Sequence, residues 1–316
     1  KFPTPIPAPI SNLRPARETC EQCHWPAKFY DRKLRVRQSY LADDTNTEFI
    51  VNLQVKTSSK MTSKGFERGI HQHISPDVRI EYKTTANNRQ VIPWVKYTNT
   101  KTGETEIFTD SENPLSKAKL DSLETRVMDC LDCHNRPSHN YKTPQSYVDQ
   151  SLSDGRIAKD LPGIKQVAMK ILYKDYSTKD SAFMAIRDGV TNYYKTSHPE
   201  VLSTRKTDVE AAIAEIQDGY SKNVFPYMKS SWKSYPNNIG HIVTDGCFRC
   251  HNDRHASENG KVISKDCNLC HSILAQGTPD KMEYSNSLEP LEFKHPVDID
   301  EAWKTELCSS CHSSLY

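Results

Sequence analysis

The stretch Cys20-Glu-Gln-Cys23-His24 carries the pattern that decides the fold, because the same Cys-x-x-Cys-His spacing occurs five times. The other four copies begin at Cys130, Cys247, Cys267 and Cys308. Two thiols at this spacing can bond to the vinyl groups of a haem, and the histidine that follows them can then ligate the iron. The repeat therefore predicts five covalently bound haems of the c type, numbered I to V in chain order.

A cysteine pair of this kind could instead be half of a zinc site or a redox dithiol. Here all ten cysteines fall in such pairs and a histidine follows every pair, which neither alternative requires. The predicted points of covalent attachment are Cys20, Cys23, Cys130, Cys133, Cys247, Cys250, Cys267, Cys270, Cys308 and Cys311. The predicted proximal iron ligands are His24, His134, His251, His271 and His312.

The composition fits a chain that wraps cofactors. Only 36% of the 316 residues are hydrophobic and the mean hydropathy is −0.73. Five porphyrins would supply much of the missing apolar core, so we expect the apoprotein to be largely unfolded. The polypeptide charge is +2, and five oxidised haems would bring it to about −3. This balance gives no support to nucleic-acid binding.

The sequence indicates export. No stretch is long and apolar enough to span a bilayer, and the Pro-rich segment 1–10 lacks the apolar run of a signal peptide. Since c-type haem is attached outside the cytoplasmic membrane, we expect a periplasmic or extracellular protein. The chain would then be a signal-cleaved form or a fragment that follows an upstream anchor.

The predicted fold class is α+β with little regular secondary structure, a multihaem cytochrome c built round a haem chain. The Pro-rich arm and haem I occupy 1–31, a β-rich region 32–112 and haem II 113–143. A helical scaffold follows at 144–236, and haems III to V occupy 237–316.

Alternating apolar residues predict antiparallel strands between about 33 and 110, for example at Leu34 and Val36 and at Phe49 and Val51. His71 and His73 lie two residues apart, so on a strand both would face one side. The alternative is that both are surface histidines with no ligand role. We favour iron ligation.

Helix signals are clear in the second quarter of the chain. Asn113-Pro114 is typical of a helix start and predicts a helix running through Leu120 and Val127 into haem II. Beyond it, Thr143-Pro144 predicts one helix, and three more are expected at about 163–173, at about 181–194 and from about 207. An apolar stripe, typical of core packing, runs along the last of them: Val209, Ile213, Ile216 and Tyr220.

Twelve histidines less five proximal ones leave seven candidates for the second axial position. His198 precedes a proline in a turn, and we interpret it as a loop histidine. The predicted distal ligands are His71, His73, His139, His241, His255 and His295, with one of the first two in doubt. His139 and His255 follow their own motifs too closely to reach round the same haem, so each should serve another iron.

Several stretches resemble cytochromes of the NapC/NirT type in order and spacing, over about residues 11–275. They are residues 14–26, Gly69-Ile-His-Gln-His73, residues 129–139 and Gly246-Cys-Phe-Arg-Cys-His251. The resemblance implies transfer of electrons from the quinone pool to outer acceptors. This chain differs in lacking their anchor and in adding haem V after His295, a feature that resembles small three- and four-haem cytochromes.

The preferred function is an electron-transfer chain of bis-histidine haems rather than an enzyme, because an iron with six ligands has no place for substrate. The partners would be redox proteins or terminal acceptors. Two alternatives stay open. One is a reductase of a small oxyanion with an open haem. The other is a filament subunit that associates head to tail, with His71 or His73 bridging to a neighbour's haem.

Overall fold

The computed structural model describes residues 3–9, 14–25, 29, 32–58, 69–136, 139–286 and 289–314. In these described ranges, nine strands lie in two antiparallel sheets. They are β1 (Arg32–Tyr40), β2 (Glu48–Lys56), β3 (Val78–Lys83), β4 (Trp94–Asn99), β5 (Thr105–Asp110), β6 (Thr125–Val127), β7 (His255–Ala256), β8 (His271–Thr278) and β9 (Lys281–Tyr284). The described helices are α1 (Ala16–Thr19), α2 (Lys117–Ser122), α3 (Cys130–Cys133), α4 (Pro144–Ser153), α5 (Ile164–Leu172), α6 (Lys179–Ser197), α7 (Pro199–Thr204), α8 (Lys206–Asn223) and α9 (Cys308–His312). The predicted α+β class is confirmed.

Both sheets join distant parts of the chain. One has the strand order β1-β2-β8-β9 and the other β6-β3-β4-β5-β7. The strands predicted between 33 and 110 all form, but β2 pairs with β8, which begins at the histidine of motif IV. Strand β5 pairs with β7, which begins at His255. The β region is therefore completed by strands that follow haem motifs III and IV.

Helices α4, α5, α6 and α8 confirm the helical scaffold close to the expected boundaries. Thr143 caps α4 by accepting a hydrogen bond from the backbone N–H of Ser146. The expected stripe along α8 is buried together with apolar residues of α4 to α6 in one large cluster. This block contains no haem motif, so burial of its own side chains stabilises it.

The predicted bounds of one helix are wrong. The helix placed at Asn113-Pro114 begins at Lys117, because the side chain of Ser116 caps it by accepting from the N–H of Lys119. It ends at Ser122, and residues 125–127 form β6 instead of continuing it. The alternation at Leu34 and Val36 does give a strand, but both side chains lie on the edge strand β1 and are exposed.

His71 and His73 do not lie on a strand. Residues Ile70–Ile74 form a 3₁₀ helix, in which the N–H of Gln72 bonds to the carbonyl of Gly69. With about three residues per turn, neighbours two apart point in different directions. The two imidazoles are therefore directed to different sites.

Candidate metal centres

Each Cys-x-x-Cys-His motif contains a short helical turn. The turns are Cys20–Gln22, Cys130–Cys133, Gly246–Arg249, Cys267–Leu269 and Cys308–His312. Residues three apart on such a turn lie on one side, so both thiols project together. All ten cysteines lie in the described part of the chain and none forms a disulfide. The donors needed for covalent haem attachment are thus arranged locally at every motif.

Three proximal histidines face a second histidine from another part of the chain. The ring centres of His73 and His251 are 5.8 Å apart. Those of His241 and His271 are 6.1 Å apart, and those of His295 and His312 are 6.0 Å apart. An iron bound to one nitrogen of each ring at about 2 Å, the usual metal–imidazole distance, would hold the ring centres about 6 Å apart. The residues therefore fit a six-coordinate haem iron at motifs III, IV and V.

Motif II has a neighbouring histidine as well. His71 and, to a smaller extent, His24 lie close enough to His134 to lower the pKa of that imidazole, after the larger effect of burial. The 3₁₀ helix thus directs His71 towards motif II and His73 towards motif III. Because the two histidines are two residues apart, this single turn ties the two sites together.

Backbone hydrogen bonds orient several of these rings. The Nδ1 atoms of His71, His73 and His295 lie 2.6–2.7 Å from the carbonyl oxygens of residues 57, 70 and 297. A carbonyl oxygen can only accept, so in His71 and His73 Nδ1 carries the hydrogen and Nε2 keeps its lone pair. The Nδ1 of His295 also lies 3.2 Å from the N–H of Val297, so these contacts do not fix its tautomer. His251 makes the same kind of contact at 2.9 Å to Ser264. This is the usual outer contact of a metal-bound histidine.

Burial keeps these imidazoles neutral. It lowers the pKa of His73, His251, His271 and His312, with smaller effects from neighbouring charges. For His241, burial and the nearby His271 lower the pKa to about 4. A neutral imidazole is the form that binds a metal, so the proposed ligands are ready to do so at neutral pH.

Both ring nitrogens of His255 contact other groups of the protein, and the prediction that it ligates a neighbour's iron stays a prediction. Its side chain is fully buried, with Nε2 2.7 Å from the carbonyl oxygen of Ile92 and Nδ1 2.9 Å from Oδ1 of Asn252. Because Nε2 must donate to the carbonyl, it has no lone pair for a metal. His255 instead joins the segment after motif III to the loop before β4.

His139 and His198 lie apart from the opposed pairs. His139 is exposed, and its Nε2 lies 3.2 Å from the carbonyl oxygen of Lys222. His198 lies between α6 and α7, beside Tyr193, Tyr194 and Glu200. Within the described residues, His24 of motif I forms no close ring pair with a histidine, although it lies near enough to His134 to lower the pKa of that imidazole. The prediction that His139 ligates an iron stays a prediction.

Neighbouring motifs lie side by side in chain order. In each of four pairs, a thiol of one motif lies near enough to a thiol of the neighbouring motif to raise the pKa of that thiol. Burial raises the same pKa by more. The thiol pairs are Cys20 with Cys130, Cys247 with Cys133, Cys247 with Cys270, and Cys267 with Cys308. Direct contacts agree: Arg249 of motif III donates to the carbonyl of Asp132 in motif II, and Lys265 beside motif IV donates to the carbonyl of Thr305 beside motif V.

Sequence reasoning missed the spacer residues of the motifs. Phe248, inside motif III, stacks on His241 with ring centres 4.2 Å apart and so holds the histidine that faces motif IV. Ser309, inside motif V, donates a hydrogen bond to Asp245, just before motif III. Aromatic and charged residues between the paired cysteines were the available signal.

The chain is similar to the Cytochrome c-type protein ImcH of Geobacter sulfurreducens, with 42% identity over 308 residues. The matched region covers 98% of this chain, and the chain spans about three fifths (59%) of that relative's length. This similarity supports a c-type cytochrome. No protein-family model matches the sequence, and no solved structure matches it. Within the described residues, no helix is both long enough and apolar enough to cross a membrane.

Proposed function

We propose that this chain is an exported electron-transfer protein that carries five covalent haems, each iron ligated by two histidines. The observation that supports it best is the set of three opposed imidazole pairs at 5.8–6.1 Å, each pair containing the histidine of one motif. A bound haem would supply a site that accepts and releases one electron. The chain holds that group by two thiols and two imidazoles, and two ligands from the protein leave no position for substrate.

Except at haem I, each distal ligand is assigned as the histidine that lies opposite the histidine of a motif. We assign His71 to haem II, His73 to haem III, His241 to haem IV and His295 to haem V. His139 is assigned to haem I by elimination, as the predicted distal ligand that remains once His255 is left out; its Nε2 would have to give up its contact with the Lys222 carbonyl. His255 and His198 are left out. The prediction that every iron has two histidine ligands is kept. The set of distal ligands changes, because His255 is dropped and both His71 and His73 are used.

The order of the haems along the path is I, II, III, IV, V. It rests on the contacts between successive motifs: Arg249 to Asp132 for III with II, Phe248 on His241 for III with IV, and Lys265 to Thr305 for IV with V. Electrons would enter near one terminus of the chain and leave near the other. The donor and the acceptor would be redox proteins or terminal acceptors outside the cytoplasmic membrane.

The filament form is not part of this proposal. The suggested means of joining needs His71 or His73 to be free to bridge to a neighbouring subunit, whereas His73 faces His251 and His71 lies near His134 of the same chain. In the Pro-rich segment, the carbonyl of Ile6 accepts a hydrogen bond from the Tyr235 hydroxyl of the same chain.

Intact mass spectrometry of the denatured holoprotein tests the cofactor count. The expected mass is that of the polypeptide plus five haems, and fewer in a fully matured sample would contradict the proposal. A high-spin ferric signal in the native protein would instead favour the reductase alternative, with haem I as the open site.

A further inference from the structure

A buried carboxylate lies inside motif II. Asp132 stands between Cys130 and Cys133, and its side chain is 1% exposed. Its Oδ1 accepts three hydrogen bonds: from the Tyr82 hydroxyl at 2.7 Å, Arg126 Nε at 2.9 Å and Arg89 Nη1 at 3.2 Å. Oδ2 accepts from the N–H of Asp129 at 2.8 Å and so closes a capping box on α3. Every contact is of the kind an ionised carboxylate makes.

The main chain of the same residue links two motifs. The carbonyl oxygen of Asp132 accepts from Arg249 Nη2 at 3.0 Å and from Asn238 Nδ2 at 2.9 Å. Arg249 is one of the two residues between Cys247 and Cys250 of motif III, and it is buried. Motif II is therefore joined to sheet residues through the Asp132 side chain and to motif III through its carbonyl.

Arg89 completes the connection from the β3–β4 loop. Its guanidinium bonds to the Asp132 carboxylate, and its own carbonyl accepts from Arg249 Nη1 at 2.8 Å. Its φ of +58° is in the left-handed region that side chains rarely adopt. Such a conformation persists only where the surroundings fix it, as the contacts at both ends of Arg89 do here.

The carboxylate lies inside the attachment site, between Cys130 and Cys133 and two residues before His134. Reduction would place one extra electron next to this carboxylate, with no bond made or broken. A buried negative charge opposes that electron, and each donor to the carboxylate weakens the opposition.

We propose that Asp132 is a positioning residue of the haem chain, which fixes motif II against motif III and whose charge lowers the reduction potential of haem II. The proposal rests on the proposed function, since it assigns a role next to one of the five haems.

Redox titration of the purified holoprotein, followed by visible spectra, tests it. Asp132→Asn removes the charge, so one of the five midpoint potentials should rise. Tyr82→Phe keeps the charge and removes one donor, so the same potential should fall. That potential should also be the one that His71→Met alters, which identifies haem II. The controls are Asp121→Asn, an exposed carboxylate on α2, and Tyr97→Phe on β4; neither should move any potential.

If the potential shifts in the same direction in Asp132→Asn and Tyr82→Phe, or shifts in neither variant, the proposal is overturned. A purely structural role predicts that both variants loosen the contact between motifs II and III and so change the potential in the same way. If Asp132→Asn fails to mature, Tyr82→Phe still decides between a fall and no fall. A wild-type protein with fewer than five haems would contradict the proposed function instead, and would be recognised by its mass before any titration.

Discussion

The imidazole rings of His73 and His251 face each other with their centres 5.8 Å apart and their planes 89° apart. The rings of His241 and His271 have almost the same separation, 6.1 Å, but their planes differ by only 20°. In a low-spin ferric haem, the angle between the two axial ligand planes sets the splitting of the iron d orbitals. Perpendicular planes leave two orbitals nearly degenerate, whereas parallel planes separate them.

The electron paramagnetic resonance spectrum should therefore contain two classes of low-spin signal. We expect haem III to give a strongly anisotropic signal with a large maximum g value, and haem IV to give an ordinary rhombic one. Replacing His73 with Met should remove the first signal and raise one reduction potential, because a thioether favours the ferrous state. His241→Met is the matched control, which should remove a rhombic signal and leave the anisotropic one. Loss of the same signal in both variants would contradict the assignment.

Replacing His255 with Met should leave all five reduction potentials unchanged. The variant leaves the carbonyl of Ile92 buried without its donor, so the free energy of unfolding should fall by about 1–3 kcal/mol. Chemical denaturation and redox titration of the same sample measure the two effects separately. A potential that rises in this variant would restore His255 as an iron ligand.

Acid should loosen the segment after motif III through Glu106. Hydrogen bonds from Lys261, then from Ser257 and Asn259, lower the pKa of Glu106 from 4.5 to about 2. Because the folded pKa is the lower one, this tether stabilises the fold above about pH 4.5 and is lost as the pH falls towards 2. The protection of the amide hydrogens of residues 257–261, measured relative to the intrinsic exchange rate at each pH, should therefore decrease over that interval. In Glu106→Gln this protection should already be lower at neutral pH and should change less with acid.

Glu104→Gln provides the control for that comparison. Glu104 is more exposed and lies 3.9 Å from Lys261, whereas Glu106 lies 2.8 Å from it. The control should keep the acid dependence of the unmodified protein. An equal loss of dependence in both variants would show that general surface charge is responsible.

The helical scaffold should be stabilised independently of the haem ligands. Ile186 on α6 is fully buried, and Met184 on the same helix is 65% exposed. We expect Ile186→Ala to lower the free energy of unfolding by about 2–5 kcal/mol, and Met184→Ala to change it by less than about 0.5 kcal/mol. Denaturation followed by far-ultraviolet circular dichroism measures both. A changed haem spectrum in folded Ile186→Ala would show that the scaffold also sets haem geometry.

Short-range sequence patterns predicted the helices and strands that form mainly through interactions between residues close together in the chain. The helices α4 to α6 and α8 carry an apolar period and start signals, and the strands of residues 32–110 alternate as expected. The start of α2 was misplaced because Ser116 competes with Asn113 as a cap and the sequence shows both. The 3₁₀ helix at His71 and His73 was missed because a short alternating stretch does not distinguish this turn from a strand.

Pairings between distant segments were beyond sequence reasoning. The Cys-x-x-Cys-His spacing predicts the attachment sites directly, since that chemistry lies within five residues. The histidines that face motif histidines come from segments up to about 180 residues away, as with His73 and His251, and only the folded chain shows which rings meet. His255 looked suitable because of its distance from His251 along the chain, but hydrogen bonds to Ile92 and Asn252 occupy it.

Near-infrared magnetic circular dichroism of the fully oxidised holoprotein tests the central claim most directly, because its charge-transfer bands report the axial ligands of each ferric haem. Five haems ligated by two histidines should give only low-spin bands of the bis-histidine class, with an intensity that corresponds to five irons per chain. A high-spin band, or a low-spin band of the histidine–methionine class, would contradict the account.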